Sequence, residues 1–153
     1  TLAPCSDQRE APDMERIFVQ HVTGDRFTID VRAHQLVVDQ PGSGDAGPTP
    51  TELFVASLAG CAGFFAHRFL ARHGVADAEI RVTCDFDWAD DHSRVSAIRL
   101  KVEMDHPLSN DLRTALERVL DRCTVKESIR IAPTVAIEIA TRAPVSDELV
   151  ALP

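Results

Sequence analysis

The residues of this 153-residue chain with the most chemistry in them are its four cysteines, at positions 5, 61, 84 and 123. A thiol can serve as nucleophile, redox centre or metal ligand, and spacing separates these roles. No two cysteines are two residues apart, and no His-Glu-x-x-His run accompanies them, so neither a metal nor another cofactor is expected. Cys61 lies in Ala59-Gly60-Cys61-Ala62-Gly63, within a run of helical pattern. Glycine inside a helix costs ~1 kcal/mol relative to alanine. Two of them around one cysteine therefore suggest either an open approach to the sulfur or the close passage of a neighbouring element. Cys123 falls on the apolar stripe of a second helical pattern. The plain alternative for both is core filling, since a free cysteine usually behaves as a small buried hydrophobe. Cys84 alternates with apolar residues and reads as core, and Cys5 lies in a polar leading segment. A Cys–His hydrolase would need a histidine to meet Cys61 in space. His67 and His73 are six apart, wrong for one helix face, and no motif flanks His21, His34 or His106. Asp90-Asp91-His92 reads as a solvated hairpin tip.

These side chains must be held by elements that the pattern of apolar residues predicts. Ile17–Val22, Arg26–Arg32 and His34–Asp39 read as short strands, the first two joined by Thr23-Gly24-Asp25. Gln40–Pro48, rich in glycine and proline, reads as a loop. Thr49-Pro50-Thr51-Glu52 then has the form of a helix start, with Thr49 as N-cap, Pro50 at the first helical position and Glu52 closing a capping box. The helix should run to about His73 and stop at Gly74, a length of roughly 35 Å. From Leu53 to Phe65 it is apolar on every side, which calls for burial all round, within the domain or between two subunits. Ala78–Trp88 and Val95–Met104 alternate as a hairpin. Ser109 caps a second helix with Leu112, Leu116, Val119, Leu120 and Cys123 on one stripe. Val135, Ile137 and Ile139 alternate as a last strand. The expected fold is α+β, in the order βββ-α-ββ-α-β: one domain over residues 15–142, with a flexible tail at 1–14 and another at 143–153.

Composition excludes some functions. Sixteen basic and 24 acidic side chains leave a net charge of −8, which repels a phosphate backbone. One Trp, seven Phe and no Tyr leave few platforms on which bases could stack. No nucleic-acid partner is expected. The uncharged apolar run Leu53–Ala66 is shorter than the ~20 residues of a membrane span, so no membrane partner is expected either. Nothing near the first residue reads as a signal peptide, which makes the cytoplasm the expected location.

The run Gly47-Pro48-Thr49-Pro50-Thr51-Glu52-Leu53, followed by Ala56-Ser57-Leu58-Ala59-Gly60-Cys61, resembles the signature of the OsmC/Ohr family of osmotically induced and organic hydroperoxide resistance proteins. The second cysteine at position 123 and the order of elements agree with it over about residues 16–141. The resemblance implies an OsmC-like fold and an intertwined homodimer: long central helices wrapped by antiparallel sheets, with active sites at the subunit interface. It implies thiol-dependent reduction of organic hydroperoxides, and of hydrogen peroxide as a further substrate. Cys61 would become a sulfenic acid, Cys123 would close a disulfide with it, and an external dithiol would reduce that bond. The family peroxidases activate the thiol with an arginine held by a glutamate. Arg26, just after the first turn, resembles that arginine, with Arg32 and Arg16 as secondary candidates, and Glu52 stands nearest to the family acid.

The chain departs from the family at two places. Thr51 occupies the acidic position, so that Glu52 points about 100° away from it around the helix, and Thr124 replaces the usual proline after the second cysteine. Two other functions stand beside the peroxidase: a non-catalytic dimer binding a small apolar ligand between subunits, and, further behind, a thiol hydrolase.

Overall fold

The computed structural model describes residues 16–141. The expected tails 1–14 and 143–153, and Cys5 with them, lie outside the described residues.

The first three strands form an antiparallel meander, β1 (Ile17–Thr23), β2 (Arg26–Val31) and β3 (His34–Val38). Its register runs from Ile17↔Val31 to Thr23↔Arg26 on one side of β2, and from Phe27↔Val38 to Val31↔His34 on the other. The first turn uses Gly24 at φ +55°, and the second places Arg32 in the same left-handed region, which a non-glycine residue enters at some cost. A loop then leads to α1 (Pro50–Arg72), whose start follows the expectation from sequence. The Thr49 hydroxyl accepts from the Glu52 amide at 3.2 Å, and the Glu52 carboxylate accepts from the Thr49 amide at 2.7 Å. These bonds satisfy two of the amides that a helix start leaves without partners. The helix ends at His73 and Gly74, the latter at φ +80°, where the Val75 amide folds back onto the Leu70 carbonyl at 2.9 Å.

A long antiparallel hairpin follows, β4 (Ile80–Trp88) and β5 (Val95–Met104), in a register that sets Cys84 opposite Leu100. The expected polar tip closes it, with the Ala89 amide donating to the Arg94 carbonyl. α2 (Asn110–Leu120) begins at Ser109, which caps Leu112, and α3 (Thr124–Arg130) comes after a short break. α1 packs against β4, β5, α2 and α3. The core gathers Ala66, Phe69 and Leu70 of α1 with Leu116 of α2, backed by Ile80, Val102 and Met104 of the hairpin. Gly63 faces the hairpin, where a Cβ would meet the Val82 side chain at an ordinary contact distance of 3.5 Å. Gly60 faces open space.

One feature falls between the alternatives that the sequence left open, and two differ from its expectation. Only one stripe of α1 is buried within the chain, Val55, Leu58, Ala62, Ala66, Phe69 and Leu70, while Phe54 and Phe64 are 43% and 56% exposed. The second helical pattern breaks at Asp121–Cys123, and a third helix takes its place. Val135, Ile137 and Ile139 lie outside any strand and are 78%, 87% and 95% exposed. Alternation gives a segment the capacity to pair, and pairing also needs a strand brought alongside it; these residues join neither the β1-β2-β3 sheet nor the β4-β5 sheet. By length and composition α1 meets the requirement for a membrane span that Leu53–Ala66 alone does not, yet its buried stripe seats it as the core helix of the domain.

Candidate functional site

Cys61 lies 12 residues beyond the N-cap of α1, roughly 18 Å along the helix at 1.5 Å per residue. It is half-buried, beside the open position of Gly60. Cys123 reaches the same place from the other end of the chain. α2 stops at Leu120, the Cys123 amide closes a last turn onto the Leu120 carbonyl at 3.2 Å, and the backbone at Cys123 is extended (φ −64°, ψ 144°). That break turns the side chain inward to 1% exposure, as the N-cap residue of α3. The two thiols are near enough for Cys61 to act on the titration of Cys123, and both are free.

The electrostatics of the pair are mixed. Burial pushes the Cys123 thiol above its ordinary range; the Lys126 backbone amide opposes the rise, the Cys61 thiol adds to it, and the Lys126 ammonium opposes it again. Beside Cys123 lies a cavity of about 560 Å³, within the usual range for small-molecule sites. Phe54, Leu58 and Ala62 of α1, Ile98 and Leu100 of β5, and Ile129 of α3 make most of its wall apolar. Cys123 and Lys126 line it as well.

Arg26 and Glu52 are elsewhere, and not with each other. Arg26 donates from Nε and Nη2 to the Asp39 carboxylate, both at 3.3 Å. Asp39 is fully buried at the end of β3 and also accepts from the amides of Gln40 (2.8 Å) and Ala46 (3.1 Å). The Ala46 bond does most to hold its carboxyl below the usual range; burial opposes this, and Gln40 and Arg26 reinforce it. Gly44 completes the cage: at φ +130° it passes so near that a Cβ would stand 3.2 Å from the Arg26 guanidinium. Glu52 is spent on the capping box, and the Thr49 amide and hydroxyl lower its pKa. Neither Arg26 nor Glu52 is among the groups acting on Cys123, where Lys126 supplies the cation.

Cys84 stands apart on β4, half-buried, its thiol pushed up by burial and by Asp85. Among the described residues no three His, Cys, Asp or Glu side chains gather as a metal site would require. Sequence reasoning missed two residues, Asp39 and Lys126. Asp39 looked like the polar end of a strand, and only the fold brings Arg26 to it. Lys126 carried a faint signal, its position three residues after Cys123 in a segment expected to be past the second helix.

Residues 42–138 match the family described as OsmC-like protein. No curated protein matches the chain. Solved structures do. An OsmC-like protein from Mycoplasma pneumoniae is similar with a TM-score of 0.68 at 15% identity, over 80% of this chain and 91% of that one. The organic hydroperoxide resistance protein OhrB of Bacillus subtilis gives 0.54 at 17% identity, over 78% and 93%. An organic hydroperoxide resistance protein OsmC from Legionella pneumophila gives 0.50 at 14%, over 79% and 92%. At these identities the likeness shows the fold.

Proposed function

From the premise that this chain belongs to the OsmC-like proteins, we propose that it is a two-cysteine thiol peroxidase acting on organic hydroperoxides, with hydrogen peroxide as a further substrate. The observation that carries the reading is the nearness of Cys61 to Cys123, close enough to act on its titration although the two are far apart in the chain. The names of the Bacillus and Legionella relatives point the same way.

Exposure supports this division of roles: Cys61 is half-buried and meets peroxide first, while Cys123 is 1% exposed and resolves the product. The Cys61 thiolate attacks the distal peroxide oxygen, the O–O bond breaks, and the alcohol leaves after taking up a proton. The resulting sulfenic acid is attacked by the Cys123 sulfur, water departs, and a disulfide forms. An external dithiol then takes the bond back to two thiols and is itself oxidised. The apolar cavity wall suits the organic part of a hydroperoxide, and free thiols suit the reducing cytoplasm.

The reading includes a homodimer. Ile17, Phe18 and Val19 on β1, Phe54 and Phe64 on α1, and the extended Val135–Ile139 segment expose more large apolar side chains than a monomer usually leaves to water. A second copy would cover them and give the extended segment an edge to pair with. It would also offer Cys61 an arginine, since within one chain Arg26 is fastened to the loop that precedes α1.

The test is consumption of cumene hydroperoxide in the presence of dithiothreitol. Wild type turns over repeatedly, Cys61→Ser abolishes the reaction, and Cys123→Ser leaves Cys61 to over-oxidise, seen as added oxygen in the intact mass. The cavity also favours a second reading, a non-catalytic binder of a small apolar ligand. That reading takes over if wild type leaves peroxide untouched and an apolar fluorophore binds with the same affinity in Cys61→Ser.

A further inference from the structure

We propose that Lys126, ion-paired with Asp121 and lining the same cavity as the buried Cys123, is the cation that holds Cys123 as the leaving thiolate when the Cys61–Cys123 disulfide is reduced. This rests on the peroxidase reading for its place in a cycle, but its chemistry is that of the thiol pair alone.

The argument starts from access. An attacking dithiol cannot reach the sulfur of Cys123, which is 1% exposed, so it must strike Cys61. Its thiolate then bonds to the Cys61 sulfur, the S–S bond breaks, and the electron pair goes to Cys123, which departs as a thiolate. The second thiol of the reductant resolves the mixed disulfide, releasing Cys61 and leaving the reductant oxidised. In such an exchange the rate depends on how well the leaving sulfur carries negative charge. Cys123 must carry it in a place where burial disfavours charge.

Relief can come from few groups. The charged residues facing the cavity beside Cys123 are Glu117 of α2, Asp121 in the break after it, and Lys126 of α3. α1 brings Phe54, Leu58 and Ala62, and β5 brings only uncharged side chains. Lys126 is thus the one cation among these groups, one helical turn past Cys123. Its ammonium is ion-paired with Asp121, and the two side chains are 47% and 71% exposed. Exposed pairs of this kind are weak, so a thiolate forming nearby can compete for the ammonium. Arg122 and Arg130 also act on Asp121, which leaves its charge balanced when Lys126 turns away.

The test needs no peroxide. The disulfide is formed with diamide, and its reduction by dithiothreitol is followed across pH, with Cys123 titrated in the reduced protein by thiolate absorbance. Lys126→Met should slow reduction about threefold to tenfold and move the Cys123 titration to higher pH. Lys126→Arg should restore both, and Asp121→Asn should quicken reduction and lower the titration. The proposal is overturned if Lys126→Met matches wild type at every pH, or if Lys126→Arg is as slow as Lys126→Met, which would make packing rather than charge the cause. Equal rates in all variants with peroxide turnover intact remove this proposal and leave the peroxidase. A Lys126 effect in a protein inert to peroxide does the reverse.

Discussion

The two halves of this molecule are stabilised in different ways. From α1 onward the chain builds an apolar core in which Ala66, Phe69, Leu70 and Leu116 are buried, and the thiol pair sits where the break after α2 meets α1. The β1–β3 meander has little of this. Its first strand is exposed along its whole length, and its tightest feature is polar, the Arg26–Asp39 pair with the loop closed around it. The half with the thiol pair has an apolar core of its own, whereas the first strand of the meander buries nothing within the chain. An interface is the natural place to bury it.

Breaking the core should have the largest effect. Leu70→Ala removes a side chain that is 1% exposed and should cost about 2–5 kcal/mol in denaturant unfolding. Val19→Ala in the exposed meander should change the unfolding of the isolated chain by no more than about 0.5 kcal/mol. A comparable cost at both sites would erase the contrast. Next comes association: Ile137→Asp should shift the protein toward monomer in analytical ultracentrifugation and leave the helical circular dichroism in place. If it unfolds the helices instead, the extended segment supports its own chain.

Asp39→Asn should lower the thermal midpoint by several degrees at neutral pH. The folded carboxyl titrates below the usual aspartate value of about 3.9. Its contribution is therefore complete above that value and is lost as pH falls through the lowered folded pKa. The gap between wild type and Asp39→Asn should close on acidification, and a gap that widened would contradict the assignment. The smallest effects belong to the start of α1. Thr49→Ala should cost ~1 kcal/mol as a lost cap. Glu52→Gln, which can still accept from Thr49, should leave peroxide turnover unchanged. A large loss there would show that Glu52 serves the site.

Local features were legible in the sequence, and those that depend on distant contacts were less so. The capping box at Thr49–Glu52 depends on four consecutive residues, and the structure forms it as expected. The β4–β5 hairpin depends on alternation and a polar tip and was equally legible. The nearness of Cys61 to Cys123 had no local signal, because no local rule brings residue 123 to residue 61, and only the family resemblance paired them. Arg26 was assigned a glutamate partner by the same resemblance, yet its carboxylate is Asp39, delivered by β-sheet register that composition does not encode. Residues 135–139 show the limit of periodicity, since alternation states a capacity to pair and pairing needs another edge.

The central claim is that Cys61 and Cys123 are redox partners. Peptide mapping of the reduced protein after one equivalent of cumene hydroperoxide tests it most directly. The account predicts a single disulfide, between the peptides carrying Cys61 and Cys123, with Cys84 still free. Peroxide consumed while both thiols remain free and unoxidised, or a disulfide that takes in Cys84 instead, would contradict it.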